Sequence, residues 1–264
     1  MNLLRLDQKG PLEDFLRQDV YLHIYALGDL DDYFWPHTEW LGLCDDGSLH
    51  ALLMLYHGLE PPILLALARS ADIYSTRVLL EMCLAELKTP FYVHASPELA
   101  DFFRQHYVTH NHGEHLKMRL QEPDPAAQVD VIGTELATPD DVPELEELFA
   151  HSYPDHAFDP RMVRMGQFYC IRKSGKIVSA AGIHVYSPHY GVAAIGNVVT
   201  HPEFRGQGMG TRVTARTICS LQETVPHIGL NVKSDNTTAI QIYQKLGFVV
   251  HRQYYELTAL QLRT

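Results

Sequence analysis

Three glycines at alternate positions constrain the fold of this chain more than any other feature of its sequence. Gly206, Gly208 and Gly210 lie in "NVVTHPEFRGQGMGTRV" (residues 197–213), directly after an apolar run and directly before a stretch with helical spacing. Each glycine costs about 0.5–1 kcal/mol relative to alanine in regular structure, because it loses more conformational entropy. Three together therefore predict a backbone that turns tightly or that another molecule approaches closely.

The second half of the sequence alternates helix and strand patterns. Thr138 and Asp141 have the spacing of a capping box, and an apolar stripe with helical period follows them. The further predicted elements begin with a short helix near 160–165, two strands over 166–187 with a turn at 173–176, and a strand over 191–202 with a bulge at Gly196. They continue with a helix to about 222, a strand at 228–234, a helix over 236–246 ending at Gly247, and a final strand from 248. This order predicts an α+β domain.

The first half of the sequence repeats the same order of elements in a fainter form. The segment "SPELADFFRQHYVTHNHGEHLKMRL" parallels "DNTTAIQIYQKLGFVVHRQYYEL" in its pattern, which favours a degenerate internal duplication. The proline-rich stretch "QEPDPAAQ" (residues 121–128) is typical of an exposed connector. The sequence thus predicts two α+β domains, 1–122 and 129–264, each with a mixed, mostly antiparallel sheet flanked by helices.

Four interpretations of the glycine segment compete, and its spacing separates them. A P-loop requires a lysine after the glycines, and none follows Gly210. A dinucleotide-binding fingerprint requires G-x-G-x-x-G at a βαβ opening, whereas the spacing from Gly206 is G-x-G-x-G behind an antiparallel meander. A plain turn accounts for one or two glycines only. The remaining interpretation is R-x-x-G-x-G, from Arg205 to Gly210, between a strand and a helix.

This last pattern resembles the acyl-CoA-binding motif of the GNAT superfamily of CoA-dependent N-acyltransferases. The resemblance covers about residues 131–257 and includes "NVKSDNTTAIQIYQKLGF", which is similar to a second segment of that family. The glycine positions also suit the binding of a phosphate group on physical grounds alone. Without side chains at Gly208 and Gly210, successive backbone N–H groups and a helix N-terminus can face the CoA pyrophosphate. The first half resembles the family only in its layout.

The resemblance implies a binding site for acetyl-CoA as co-substrate and a catalytic role for one tyrosine. The residues expected to bind CoA are Val198, Val199 and Thr200 at the pantetheine arm, Arg205, Gly206, Gln207, Gly208, Met209, Gly210 and Thr211 at the pyrophosphate, and Asn236 beside the pantetheine. Tyr243 is expected beside the thioester sulfur, where its phenol (pKa about 10) can protonate a departing thiolate (pKa about 8.5). Two alternatives stay open: Arg205 can turn away to form a salt bridge, and Tyr243 can be a core residue.

The general base is not evident in the sequence. An amine must be neutral to attack a thioester, so some group must accept its proton. The central strand "GVAAIGNVV" carries no acid, and Glu203 lies in the turn that leads to the glycines. His184 on the preceding strand is a candidate base, and a hydrogen-bonded strand histidine is the alternative. A substrate that arrives partly neutral needs no strong base.

Composition excludes several other function classes. The chain has no basic stripe for nucleic acid, no apolar run of the roughly 20 residues that a membrane helix needs, and no secretory start. Its cysteines (Cys44, Cys83, Cys170 and Cys219) form no CxxC pair, which predicts a cytoplasmic protein without a zinc site. The tract "HNHGEH" could hold a metal, but we expect a histidine-rich turn between two strands and no metal.

The predicted function is transfer of an acetyl group from acetyl-CoA to an amine, in a small molecule or amino acid derivative. The alternatives are a protein or peptide N-acetyltransferase, and a non-catalytic acyl-CoA-binding module. The first half has no glycine over residues 66–73 and offers Phe102 and Phe103 near the counterpart of Tyr243, so we expect one CoA per chain. Its charge of −10, from 9 Lys+Arg and 19 Asp+Glu over residues 1–128, could attract a cationic amine, and a solvated acidic surface that aids solubility is the alternative. The sequence leaves the oligomeric state open.

Overall fold

The computed structural model of the chain describes residues 1–153 and 158–262. In chain order, the first part contains β1 (Asn2–Leu6), α1 (Lys9–Leu16), α2 (Ile24–Asp29), β2 (Thr38–Asp45), β3 (Ser48–Tyr56), β4 (Ile63–Ala66), α3 (Ile73–Cys83), β5 (Phe91–Ala95), α4 (Pro97–His106) and β6 (Tyr107–Leu120). The second part contains α5 (Asp124–Ala127), β7 (Thr134–Leu136), α6 (Val142–Ser152), β8 (Tyr169–Lys173), β9 (Lys176–Ser187), β10 (Val192–Thr200), α7 (Met209–Gln222), β11 (His227–Lys233), α8 (Thr237–Lys245) and β12 (Phe248–Leu262). This mixture of helices and strands confirms the predicted α+β class.

Two compact units make up the chain, and neither is continuous in sequence. The first unit comprises Met1–Lys117, Val232–Asp235 and the chain from His251 onward. The second unit comprises Met118–Asn231 and Asn236–Val250. Most of β12 therefore belongs to the first unit, where residues 255–259 pair antiparallel with β5. Its alternating pattern predicted a strand correctly but carried no information about which sheet the strand would join.

The sheet of the first unit has the strand order β1-β2-β3-β4-β5-β12-β6. The pair β4–β5 is parallel, and it stays joined along the whole of β4, from Ile63 opposite Tyr92 to Ala66 opposite Ala95. Ser96 extends the junction, because its N–H donates to the Ala66 carbonyl (3.0 Å). Helices α3 and α4 bury apolar side chains, including Phe102 and Phe103, in the core beside this sheet.

The sheet of the second unit has the strand order β11-β10-β9-β8-β7. Here β10–β11 is the parallel pair, and the other neighbours run antiparallel. The predicted capping box is present, since the Thr138 N–H donates to the Asp141 carboxylate (2.8 Å). Helix α7 packs against this sheet, with Met209 and Val213 in a cluster with Val178. Gly247 ends α8 at φ 95°, the left-handed conformation expected of a residue after a helix C-cap.

The predicted histidine-rich turn is wrong, because residues 110–115 lie inside the continuous strand β6. Gly113 adopts φ 102° within that strand, so an Asn-x-Gly composition typical of turns is absorbed without reversing the chain. The histidine side chains find partners on β12: His112 Nε2 lies 2.7 Å from the Thr258 hydroxyl, and His115 Nε2 lies 3.4 Å from the Glu256 carboxylate. The sequence analysis also did not predict β1, α2, α5 or β7.

Candidate active site

The parallel strands β10 and β11 of the second unit pair over only part of their length. Backbone pairing runs from Val192 opposite His227 to Ile195 opposite Leu230, and it stops there. Strand β10 nevertheless continues to Thr200. Buried strand backbone normally has its N–H and C=O groups paired. Beyond Ile195, the edge of β10 that faces β11 has no β11 partner, so the backbone of an extended ligand could pair with it. We call this opening the fork.

Two irregularities on neighbouring strands shape the fork. Strand β10 gains a residue between Gly196 and Val199, which pair with Gly182 and Ala180 of β9. Asn197 in that bulge has φ 53°, a left-handed conformation uncommon for residues other than glycine. Strand β9 in turn gains a residue between Val185 and Ile183, and that residue is His184. The predicted bulge after Gly196 is confirmed, while the compensating bulge at His184 was missed.

His184 lies against Gly196, the first residue of β10 beyond the fork. A Cβ built on Gly196 would overlap the imidazole, and the nearest ring atoms would be Cδ2 and Nε2. Gly196 is therefore required for space at this position. The Asn197 amide Nδ2 donates to the Ile183 carbonyl (3.1 Å) and also lies 3.5 Å from His184 Nδ1.

Val198, Val199 and Thr200, which were predicted to bind the pantetheine arm, all lie on β10 beyond the fork. Val199 and Thr200 pair with β9 along one edge of the strand, and Val198 falls in the bulge. The Ser179 hydroxyl donates to the Val199 carbonyl (3.1 Å) and lies 2.8 Å from the Thr200 hydroxyl. These contacts hold β10 in place on its β9 side, although β11 does not support it on the other.

The glycine segment forms an exposed loop that ends at the N-terminus of α7. Gly206 and Gly208 have φ 74° and 75°, and Gly208 is the N-cap of the helix. A Cβ on either would meet nothing within 4 Å, so the backbone conformation, and not crowding, requires glycine there. A Cβ on Gly210 would lie 3.3 Å from the Thr200 hydroxyl. Glycine at this position therefore lets the first turn of α7 lie close to the end of β10.

This helix N-terminus suits an anion. The first turn of α7 contains no acidic residue, and its unpaired N–H groups carry the positive end of the helix dipole. Met209 is buried against the sheet and anchors the turn, whereas Thr211 stays partly exposed. Gln207 is exposed, and its side-chain amide lies 3.5 Å from the Glu203 carbonyl.

The Arg205 side chain bonds to backbone. Its Nε donates to the Thr200 carbonyl (3.1 Å) and its Nη2 to the Ser152 carbonyl (3.0 Å) at the end of α6. The guanidinium thus ties β10 to α6, and its charge stays in the exposed loop segment. These contacts are hydrogen bonds to backbone carbonyls and not the salt bridge that the sequence left open as an alternative.

Asn236 caps the helix that carries Tyr243. Its Oδ1 accepts a hydrogen bond from the Ala239 N–H (3.1 Å), and its own side chain is exposed. Such a cap is worth about 1 kcal/mol of helix stability. Asn236 therefore fixes the first turn of α8 at the end of the segment that follows β11.

Tyr243 is buried, at 8% exposure, and its ring meets Phe248 at 6.1 Å between centroids. Among the described residues, none forms a hydrogen bond with its hydroxyl. Burial, together with the nearby phenol of Tyr153, raises the pKa of Tyr243 above its ordinary value of 10.0. The phenol therefore keeps its proton at neutral pH. Tyr153 at the end of α6 is a neighbour that the sequence analysis did not identify.

No carboxylate projects from β10, and Glu203 lies in an exposed 3-10 turn, Pro202–Phe204. The described part of the chain contains no group of three or more His, Cys, Asp or Glu side chains that could hold a metal ion. None of its helices is long and apolar enough to span a membrane.

Comparisons with known proteins show what this chain resembles in sequence. The sequence profile of the Acetyltransferase (GNAT) family matches residues 133–248. The mycothiol acetyltransferase of Arthrobacter sp. (strain FB24) is 35% identical over 95 residues, which are 34% of this chain and 28% of that relative. The corresponding protein of Paenarthrobacter aurescens (strain TC1) is 32% identical over 96 residues, 35% of this chain and 28% of its own length. The match thus spans less than a third of these curated relatives.

Solved structures extend the likeness in fold over nearly the whole chain. A GNAT-family acetyltransferase from Colwellia psychrerythraea superposes with a TM-score of 0.60 at 10% identity, covering 99% of this chain and 100% of the other. A tandem GNAT protein from the clavulanic acid biosynthesis pathway superposes with a TM-score of 0.55 at 13% identity, covering 98% of both chains. Residues 133–248 of this chain therefore resemble the GNAT family of acetyltransferases in sequence, and the chain shares the fold of these GNAT structures over nearly its whole length.

Proposed function

We propose that this protein transfers an acetyl group from acetyl-CoA to the amine of a small molecule or amino acid derivative. The observation that carries the proposal is the fork: β10 parts from β11 after Ile195 and Leu230, beside a helix whose N-terminus is built from glycines. Proteins of the GNAT family generally use acetyl-CoA. The extended pantetheine arm of this co-substrate would match the fork, and its anionic pyrophosphate would match the N-terminus of α7.

Each part of acetyl-CoA has a suitable partner in this proposal. The pantetheine amides pair with the backbone of Val198, Val199 and Thr200, which β11 leaves open. The pyrophosphate binds the N–H groups of residues 206–211 and the dipole of α7. The charge of Arg205 adds a long-range attraction, although its donors already hold two carbonyls. Asn236 lies beside the pantetheine and holds α8 in place.

Tyr243 protonates the departing sulfur in this account. Its hydroxyl has no hydrogen-bond partner among the described residues, and burial keeps it protonated. The raised pKa makes the phenol a weaker acid than free tyrosine, so it donates a hydrogen bond first and the proton only as charge develops on sulfur. The acceptor amine arrives in its neutral form, since β10 offers no carboxylate to deprotonate it.

A small-molecule acceptor is supported by the curated relatives, both of which carry the name mycothiol acetyltransferase. A thiol-release assay with acetyl-CoA and a panel of small amines, amino acids and peptides tests the proposal. Release that depends on a small amine supports it. Release with peptides alone indicates a protein or peptide N-acetyltransferase, and tight acetyl-CoA binding without release for any amine indicates a non-catalytic binding module.

A further inference from the structure

The edge of β10 that faces the fork ends at the carbonyl of Thr200. The following N–H, that of His201, donates to the Val178 carbonyl of β9 (2.8 Å). A trans peptide directs the carbonyl of one residue and the N–H of the next to opposite sides. The Thr200 carbonyl therefore points away from β9, toward the edge that β11 leaves open. One residue earlier the direction is reversed, since the Val199 carbonyl accepts a hydrogen bond from the Ser179 hydroxyl of β9 (3.1 Å).

Arg205 bonds to this fork-side carbonyl. Its Nε donates to the Thr200 oxygen (3.1 Å), which is the last carbonyl of β10. In an extended strand the N–H and C=O of one residue face the same neighbour, so the Thr200 N–H lies on the open edge beside the bond to Arg205. The arginine therefore marks the end of the fork, and an extended ligand can pair with the Thr200 N–H and with the residues of β10 that precede it.

The other side of the guanidinium bonds to the end of α6. Its Nη2 donates to the carbonyl of Ser152 (3.0 Å), the last residue of that helix. The final carbonyls of a helix have no intrahelical partner and carry the negative end of the helix dipole, which suits a cation. A second contact joins the same two segments, since the rings of His151 and His201 stack at 4.9 Å between centroids and 10° between planes. The charge of Arg205 thus has a structural partner within the protein.

We infer that Arg205 is a positioning residue for the pantetheine arm, acting through the Thr200 carbonyl, and not a ligand of the pyrophosphate. This inference rests on the proposed function. To reach a phosphate with the same N–H groups, Arg205 would have to release the carbonyls of Thr200 and Ser152, and the loss of bonds from a charged donor is costly. While these bonds are kept, they fix the end of β10 with which the pantetheine pairs.

Two substitutions of Arg205 separate the hydrogen bond from the charge. In Arg205→Gln the amide nitrogen stands at the place along the side chain where arginine has Nε, so the bond to the Thr200 carbonyl can form without a charge. Arg205→Lys keeps the charge, but a methylene replaces Nε at that place, and the flexible ammonium lacks the planar set of donors that holds two carbonyls. A positioning role therefore predicts that glutamine is the better substitute, whereas a phosphate ligand predicts lysine.

Titration calorimetry with two acetyl donors, acetyl-CoA and S-acetylpantetheine, tests the inference, because the second donor lacks the pyrophosphate and the nucleotide. Arg205→Lys should weaken the binding of both by the same factor, about tenfold, the order of one charged hydrogen bond. Arg205→Gln should bind S-acetylpantetheine as the wild type does, and acetyl-CoA only slightly more weakly because the long-range attraction is lost. Arg212→Lys is the matched control, since the Arg212 Nε donates to the Asp130 carbonyl (3.1 Å), outside β10, and both affinities should stay at the wild-type value.

Gly208→Val should show the opposite selectivity, with weaker binding of acetyl-CoA and unchanged binding of S-acetylpantetheine. The inference is overturned if Arg205→Lys keeps the wild-type affinity for S-acetylpantetheine, or if Arg205→Gln loses as much of that affinity as Arg205→Lys does. Either result, with Gly208→Val still selective against acetyl-CoA, would leave the proposed function intact. Failure of the wild type to bind acetyl-CoA at all would contradict the proposed function, and this inference with it.

Discussion

Ile195 and Leu230 form the last backbone pair between β10 and β11, and both strands continue beyond it without pairing with each other. The corresponding parallel pair of the first unit behaves differently, since Ala66 and Ala95 are still paired at the end of β4. Ser96 closes that junction further through hydrogen bonds with Ala68. An extended ligand thus finds an open strand edge in the second unit and a closed one in the first.

Substitution of Gly208 by valine should weaken the binding of acetyl-CoA by tenfold or more. Valine disfavours the φ of 75° that Gly208 adopts at the N-cap of α7, so the N–H groups of the loop would lose their common direction. Isothermal titration calorimetry on the folded variant measures the dissociation constant. An affinity equal to that of the wild type would mean that the pyrophosphate does not bind to this loop.

Gly175 supplies the matched control for that experiment. It has φ 81° in the turn between β8 and β9, and a Cβ there also meets nothing within 4 Å. Gly175→Val therefore imposes similar backbone strain away from the fork. We expect both variants to lose comparable thermal stability and only Gly208→Val to lose acetyl-CoA affinity.

Replacement of Tyr243 by phenylalanine removes one hydroxyl and keeps the buried ring. If the phenol protonates the sulfur, kcat should fall by about 10–10⁴-fold, the range for general acid catalysis, while acetyl-CoA affinity changes little. Tyr169→Phe is the control, because that phenol donates to the Ser220 hydroxyl (2.9 Å) and has no role in the proposed reaction. An unchanged kcat in Tyr243→Phe would mean that Tyr243 is a buried structural residue without a catalytic role.

The buried carboxyl of Asp29 predicts how stability depends on pH. Burial raises its pKa from 3.8 to about 8 at the end of α2. Between these values the folded state holds a proton that the unfolded state releases, so the free energy of unfolding falls as pH rises through this window. Asp29→Asn cannot ionise and should escape that loss. Its melting temperature relative to the wild type should therefore increase from pH 4 to pH 9, by about 2–4 °C for each kcal/mol recovered.

Asp140→Asn provides the comparison, because that side chain is exposed. Thermal unfolding followed by circular dichroism at several pH values compares both variants with the wild type. A constant difference between Asp29→Asn and the wild type would mean that the Asp29 carboxyl does not stay protonated in the folded protein.

The sequence predicted best those features that local geometry controls. Gly206 and Gly208 could be identified because only a left-handed backbone or a close approach explains glycine at alternate positions before a helix. Thr138 and Gly247 marked helix ends through capping chemistry that depends on a few adjacent residues. The bulge after Gly196 was readable for the same reason.

Features that depend on distant partners could not be predicted in this way. The alternation in residues 248–262 predicts a strand, but its pairing with β5 depends on residues more than a hundred positions away. The tract at residues 110–115 has turn composition, and Thr258 and Glu256 stabilise it as strand instead. Asn197 gave no signal, since its left-handed conformation arises from offset bulges on two strands.

Titration of the full chain with CoA tests the central claim most directly, because that claim assigns a single CoA site to the fork in the second unit. In the first unit the β4–β5 pair stays closed, and the segment ahead of α3 holds the Arg69–Asp72 ion pair (2.5 Å) and no glycine, so neither place offers a counterpart of the fork or of the glycine loop. Calorimetry should therefore give a stoichiometry of one CoA per chain, and Gly208→Val should abolish or strongly weaken that one event. Two CoA molecules per chain, or no binding by the wild type, would contradict the account.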